Sequence, residues 1–129
     1  MERTMIPRFR AWDKEYKEMV QVDALVFDGQ IIKATYKNGN VVKEDIKNYV
    51  LMQSTGLRDK NGKEIFEGDV VKMAKNVYSE PTYYEVVRHR GGAYRLESKQ
   101  YGCELWLRHT DCEIAGDIYK NPELLEVSS

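Results

Sequence analysis

Four glycines, each preceded by Asp, Asn or another Gly, divide this chain: Asp28-Gly29, Asn38-Gly39, Asn61-Gly62 and Gly91-Gly92. Each pair takes positive φ at low cost between two extended runs, which is the sequence form of a tight β-hairpin. Four such signals in 129 residues leave little room for long helices. The chain is therefore expected to be mainly β.

The runs between the turns fit this reading. Val22-Asp23-Ala24-Leu25-Val26-Phe27 and Ile31-Ile32-Lys33-Ala34-Thr35-Tyr36 flank the first turn as a hairpin. Tyr49-Val50-Leu51-Met52 reads as a short buried strand, and residues 55–63 as a turn or loop. Ile65-Phe66 and Val70-Val71-Lys72-Met73 bracket a bend at Glu67-Gly68-Asp69. Residues 82–90 and 93–98 make a hairpin around Gly91-Gly92, and Leu105-Trp106-Leu107 and Cys112-Glu113-Ile114-Ala115 supply further strands. Helix is confined to one or two turns within 13–19 and a capped turn at Asn121-Pro122-Glu123-Leu124-Leu125, with Pro at the first helical position.

Composition bounds what such a chain does. Its 20 Lys plus Arg against 21 Asp plus Glu give a net charge of −1, which argues against a polycation gripping nucleic acid over its whole surface. Two cysteines, Cys103 and Cys112, are too few for a secreted disulfide framework. If the chain turns near residues 108–111, Cys103 lies opposite Gly116 and Cys112 opposite Leu107, so free thiols are expected. No apolar run approaches the ~20 residues of a membrane span, and the first residues lead to no signal-peptide core. A cytoplasmic location is expected, with no membrane partner.

Three segments, in order along the chain, resemble the YopX family of phage and prophage proteins. They are Arg10-Ala11-Trp12-Asp13, then residues 53–72 (QSTGLRDKNGKEIFEGDVVK), then residues 116–125 (GDIYKNPELL). The resemblance implies a gene of phage origin and an SH3-like β-barrel over residues 53–129, preceded by a smaller β-rich region over 1–52. It supplies no biochemical activity.

The candidate chemistry is sparse. Asp59-Lys60-Asn61-Gly62 fits a β-turn in which Asp59 caps backbone amides and Gly62 takes the left-handed position. Asp59, Glu67 and Asp69 would be the carboxylates of a small hydrolytic or metal-dependent enzyme, converging with His89 or His109. Their spacing is not that of a calcium loop, which places Gly sixth. His109 and Cys112 form a single close pair, where structural zinc uses two. No metal, cofactor or catalytic set is therefore expected. Trp12 and Trp106 read as core anchors, with Asp13 either accepting from an indole or capping the turn after it.

The hairpin at Gly91-Gly92 carries the one surface expectation. A two-residue loop puts Arg88 opposite Arg95, with Tyr84 and Arg90 on the same face. Three arginines beside an aromatic ring are how a sheet grips phosphate and stacks a base. Tyr84, Arg88, Arg90 and Arg95 are thus the candidate anion or nucleic-acid site. The sequence as a whole reads as a non-enzymatic binding module for a protein or nucleic acid, with self-association open through strand edges.

Overall fold

The computed structural model describes residues 8–26, 28 and 30–127. Among them 52% are strand and 12% helix, in two antiparallel sheets. The mainly β expectation holds. No closed barrel is found among the described residues. No described helix is long and apolar enough to cross a membrane. The chain divides into two compact units, Met1–Ser54 and Thr55–Ser129.

The first unit contains β1 (Phe9–Asp13), β2 (Glu18–Val26), β3 (Ile31–Thr35), β4 (Val41–Asp45), a 3₁₀ turn (Ile46–Asn48) and most of β5 (Tyr49–Arg58). The strands lie in the order β4-β3-β2-β1-β5. One face carries a core of Ala11, Val20, Ile32, Ala34 and Tyr49, with Val22, Leu25, Val42 and Leu51 packed against it.

The helical turn expected within 13–19 is instead a hairpin turn closed from residue i+4 to i, one helical turn that is not continued. Asp13 Oδ1 accepts the N–H groups of Glu15 (2.9 Å) and Tyr16 (3.1 Å), and Lys17 N–H closes on Asp13 O at 2.9 Å. An Asp that caps a helix uses the same bonds. The outcome differs because Lys17 takes φ +59° and the strand pairs Asp13 with Glu18. The β2–β3 connection includes Phe27 and Gly29, so the Asp28-Gly29 turn lies partly outside the described residues. At Asn38-Gly39 the hairpin forms, with Tyr36 N–H to Asn40 O at 2.8 Å and Gly39 at φ +93°. The short strand read at 49–52 continues through residues taken for loop, as far as Arg58. Gly56 at φ +78° bends β5 without ending it, because Thr55 Oγ donates to Ile65 O at 2.7 Å.

The second unit follows with β6 (Glu64–Phe66), β7 (Asp69–Met73), β8 (Thr82–Arg88), β9 (Tyr94–Glu97), β10 (Gly102–Glu104), α1 (Leu105–Arg108), a 3₁₀ turn (His109–Asp111), β11 (Glu113–Asp117) and α2 (Glu123–Val127). Its sheet runs β10-β9-β8-β7-β11. Ile65, Val71, Met73, Tyr84, Val86, Leu96, Leu105 and Cys112 form its core.

Two bends expected from sequence are present. Asp59 Oδ1 accepts Asn61 and Lys63 N–H, each at 2.9 Å, and Gly62 sits at φ +82°. Asp69 Oδ2 accepts Phe66 N–H at 2.8 Å across the Glu67-Gly68 bend. Leu105-Trp106-Leu107 corrects the strand reading. It is helical, closed by His109 N–H on Leu105 O, and only Leu105 of the three is buried. Three apolar residues are too few to show a period of 2 or 3.6. The cysteine placement changes with it: Cys103 lies opposite Leu96, and Cys112 follows the 3₁₀ turn. Both thiols are free.

Candidate interaction surface

The β8–β9 hairpin is offset by one residue from the register expected. Arg88 pairs with Tyr94, Val87 with Arg95, Val86 with Leu96 and Glu85 with Glu97. His89 N–H meets Ala93 O at 2.8 Å and Gly92 N–H meets His89 O at 2.9 Å. The loop is thus three residues long, with Gly91 and Gly92 both at positive φ. A one-residue shift exchanges the faces of a strand. Tyr84 consequently points into the core at 2% exposure, edge-on to Tyr101 with ring centroids 6.1 Å apart. It presents no ring for stacking.

The three arginines separate in the same way. Arg88 and Arg90 are exposed near the turn, while Arg95 lies on the opposite face from Arg88 and Tyr84. Its Nε donates to Glu97 Oε2 at 2.9 Å and its Nη1 to Glu104. These bonds, to Glu97 first and then Glu104, hold the guanidinium proton more tightly than usual. Glu97 also stands 3.4 Å from His89 Nε2. Arg95 therefore links β9 to β10. The structure does not gather Tyr84, Arg88, Arg90 and Arg95 on one face.

Two of the three carboxylates expected for acid–base work, Asp59 and Asp69, are committed to backbone. Asp59, buried, serves Asn61 and Lys63 through Oδ1 and Ile114 N–H at 3.0 Å through Oδ2. Burial acts to raise its proton affinity, but the three N–H donors outweigh it and hold the carboxyl below its ordinary range. Asp69 is buried as well. His109 Nδ1 lies 2.7 Å from Arg58 O, and His89 stands by Glu97. No group of three or more His, Cys, Asp or Glu that could hold a metal occurs among the described residues. Burial pushes the Cys112 thiol up to about 12 and raises that of Cys103. Neither thiol is a ready nucleophile at neutral pH.

What stands out on the exterior of the second unit is apolar. Trp106 and Leu107 of α1 are 66% and 58% exposed, and Val77 and Tyr78 in the β7–β8 connection 90% and 95%. Arg108 ties the two segments together. Its Nη2 donates to Ala74 O at 3.0 Å, its Nη1 to Lys75 O at 3.3 Å and its Nε to Asp111 at 2.9 Å. Lys75 Nζ in turn lies 4.9 Å above the Tyr101 ring. Leu105, fully buried, anchors the first residue of α1 and forces Trp106 and Leu107 outward. A single exposed apolar side chain is ordinary; here four lie on the two segments that Arg108 joins at Ala74 and Lys75. Trp106 thus corrects the core-anchor expectation, which Trp12 meets at 7% exposure. Val77-Tyr78 carries a signal the sequence reading passed over, two bulky apolar residues inside an Asn/Ser/Pro-containing loop.

Comparison with known proteins adds the following. A family model described as YopX protein matches residues 8–126. The structure is similar to that of protein EF1440 from Enterococcus faecalis, with TM-score 0.66 and 30% identity, over 95% of this chain and 99% of that one. It is also similar to protein yopX from Bacillus subtilis, with TM-score 0.62 and 25% identity, over 92% of this chain and 97% of that one. No curated protein matches.

Proposed function

This chain belongs to the YopX family, and on that premise we propose that it is a phage- or prophage-encoded, non-enzymatic binding module acting on a protein partner in the cytoplasm of the bacterial host. The observation that carries this reading is the exposure of four apolar side chains, Trp106-Leu107 and Val77-Tyr78, on two segments that Arg108 fastens together at Ala74 and Lys75. Buried Trp and Tyr anchors supply most of the energy in protein interfaces, and they work best when displayed on a fixed support. Support for an SH3-like second unit comes from its five-stranded antiparallel order and the 3₁₀ turn before its last strand. A fold of that kind commonly hosts recognition, and the assignment of function rests on the surface rather than on the fold.

The test is affinity capture by the full chain from lysogenic or infected cells, with and without nuclease. One variant carries Trp106→Ala with Tyr78→Ala, the other Arg88→Ala with Arg90→Ala. A protein partner survives nuclease and is lost with the aromatic variant only. Capture that vanishes with nuclease and with the arginine variant, and that weakens steeply with salt, overturns the proposal in favour of nucleic acid.

A further inference from the structure

Four polar side chains form a hydrogen-bonded chain at the core face of the first unit. The Tyr36 hydroxyl donates to Asp13 Oδ2, the Tyr36 and Tyr49 hydroxyl oxygens lie 2.7 Å apart, and the Tyr49 hydroxyl donates to Glu44 Oε1. Asp13 and Tyr49 are buried, Tyr36 is half-buried and Glu44 is exposed. An ionised carboxylate only accepts, and a phenol brings one proton. Three contacts between oxygens therefore share two protons. However the hydroxyls turn, one contact has none, and two oxygens face each other through lone pairs. Burial, followed by the hydrogen bond to the neighbouring carboxylate, keeps both phenols protonated, with Tyr49 pushed up to about 12 and Tyr36 raised as well. The chain is short of a donor by one proton.

The geometry points to a proton-controlled latch, in which the Asp13–Tyr36–Tyr49–Glu44 chain takes up one proton as a unit through its solvent-facing Glu44 end. With the proton aboard, Glu44 donates to Tyr49, Tyr49 to Tyr36 and Tyr36 to Asp13, and every contact is made. Without it, Tyr49 serves either Glu44 or Tyr36, and whenever it serves Tyr36 the β4 end of the chain is released. The other groups around it are few. Glu18 on β2 pairs with Asp13, and Lys14 and Lys17 lie in the turn between β1 and β2. Lys14 Nζ donates to Lys47 O at 2.9 Å. Lys47 in the 3₁₀ turn lies 3.9 Å from Asp45, the β4 residue beside Glu44. Opposite Glu44, β3 presents Ile32 and β2 Leu25, both apolar.

Glu44→Gln tests this, because its amide gives the chain a permanent donor of the same shape. Thermal unfolding of the full chain would be followed for wild type, Glu44→Gln, Tyr49→Phe, the double variant, and Glu15→Gln as a charge control. At neutral pH, Glu44→Gln raises the midpoint by ~3 °C, the effect of one added neutral hydrogen bond. The gain shrinks as the pH is lowered and wild type takes up its own proton, and it disappears in the Tyr49→Phe background. Glu15→Gln shows neither behaviour. A Glu44→Gln protein no more stable than wild type at neutral pH overturns the latch. So does a gain that persists at acid pH or in the absence of the Tyr49 hydroxyl.

Discussion

The Asp59 carboxylate holds the Ile114 N–H at 3.0 Å across 55 residues of sequence. Ile114 lies on β11, which ends the order of its sheet beside β7. A strand edge with free N–H groups is a template for another strand. Here Asp59 occupies one such donor, and Asn121 Oδ1 occupies the next, Asp117 N–H at 3.2 Å. The long β5–β6 turn thus seals the far end of the sheet through one side chain.

From this follows a stability and pH prediction. Asp59→Asn keeps the shape but removes the charge that accepts three N–H bonds, and hydrogen bonds to charged groups contribute ~1.5–3 kcal/mol each. The expected loss at pH 7 is about 2 kcal/mol, and Asp59→Ala loses more because all three donors are orphaned. The folded carboxyl titrates below the unfolded one. Its contribution is therefore complete above the unfolded value near ~4 and fades as pH falls through the lower folded value. Urea denaturation at several pH values checks this. The gap between wild type and Asp59→Asn should narrow on acidification; a constant gap would refute the charge argument.

Gly116 and Asn121 meet at the same edge. A Cβ at Gly116 would lie 2.2 Å from Asn121 Oδ1 and 2.6 Å from its Cγ, closer than any packed contact. Gly116→Ala must displace Asn121 and lose its bond to Asp117, at a cost of about 2 kcal/mol in the range of overpacking. Combining it with Asn121→Ala removes the two nearest atoms. The double variant is expected to be more stable than the sum of the single effects by at least ~0.5 kcal/mol. Strict additivity in chemical denaturation would show that the two residues do not collide.

Much of this fold was legible in the sequence, and the misreadings have physical causes. Gly62, Gly68 and the Asp residues beside them announced their turns, because local bonds decide them. The longest of the three segments that resemble the YopX family, residues 53–72, contains these turns. Strand β4 was silent, since Lys43-Glu44-Asp45 carries no apolar alternation. The β8–β9 register was misplaced because Gly91-Gly92 permits both a two- and a three-residue loop, and the choice is made by Val86 and Leu96 meeting in the core. That one-residue difference dismantled the arginine face. Trp106 reads as core from its side chain alone, whereas in the fold Leu105 is the α1 residue that enters the core and leaves its neighbour outside, which no local pattern records.

The register yields its own test in two adjacent valines. Val86 is fully buried opposite Leu96, while Val87 is half-buried on the other face opposite Arg95. Val86→Ala removes two methyl groups from the core and leaves a cavity, costing about 2 kcal/mol or more. Val87→Ala is expected to cost less than half as much. Equal effects, or the reverse order, would restore the alternative register and with it a shared face for Arg88 and Arg95.

The proposed interaction surface separates most cleanly from the fold at α1, where neighbouring residues differ sharply in burial. Leu105 is fully buried in the second core, so Leu105→Ala should destabilise by ~2–5 kcal/mol. Trp106, one residue on, is 66% exposed, and exposed substitutions away from caps and ion pairs stay within about 0.5 kcal/mol. Trp106→Ala is therefore expected to leave the unfolding midpoint almost unchanged while removing partner capture. Arg108→Ala is intermediate in kind. It frees the carbonyls of Ala74 and Lys75 and loosens the two apolar segments from each other, so capture should weaken even where the fold persists. Circular dichroism melts and capture yields on the three variants decide the matter. A large stability loss in Trp106→Ala would make the indole a structural element, and undiminished capture would leave the exposed surface without a partner.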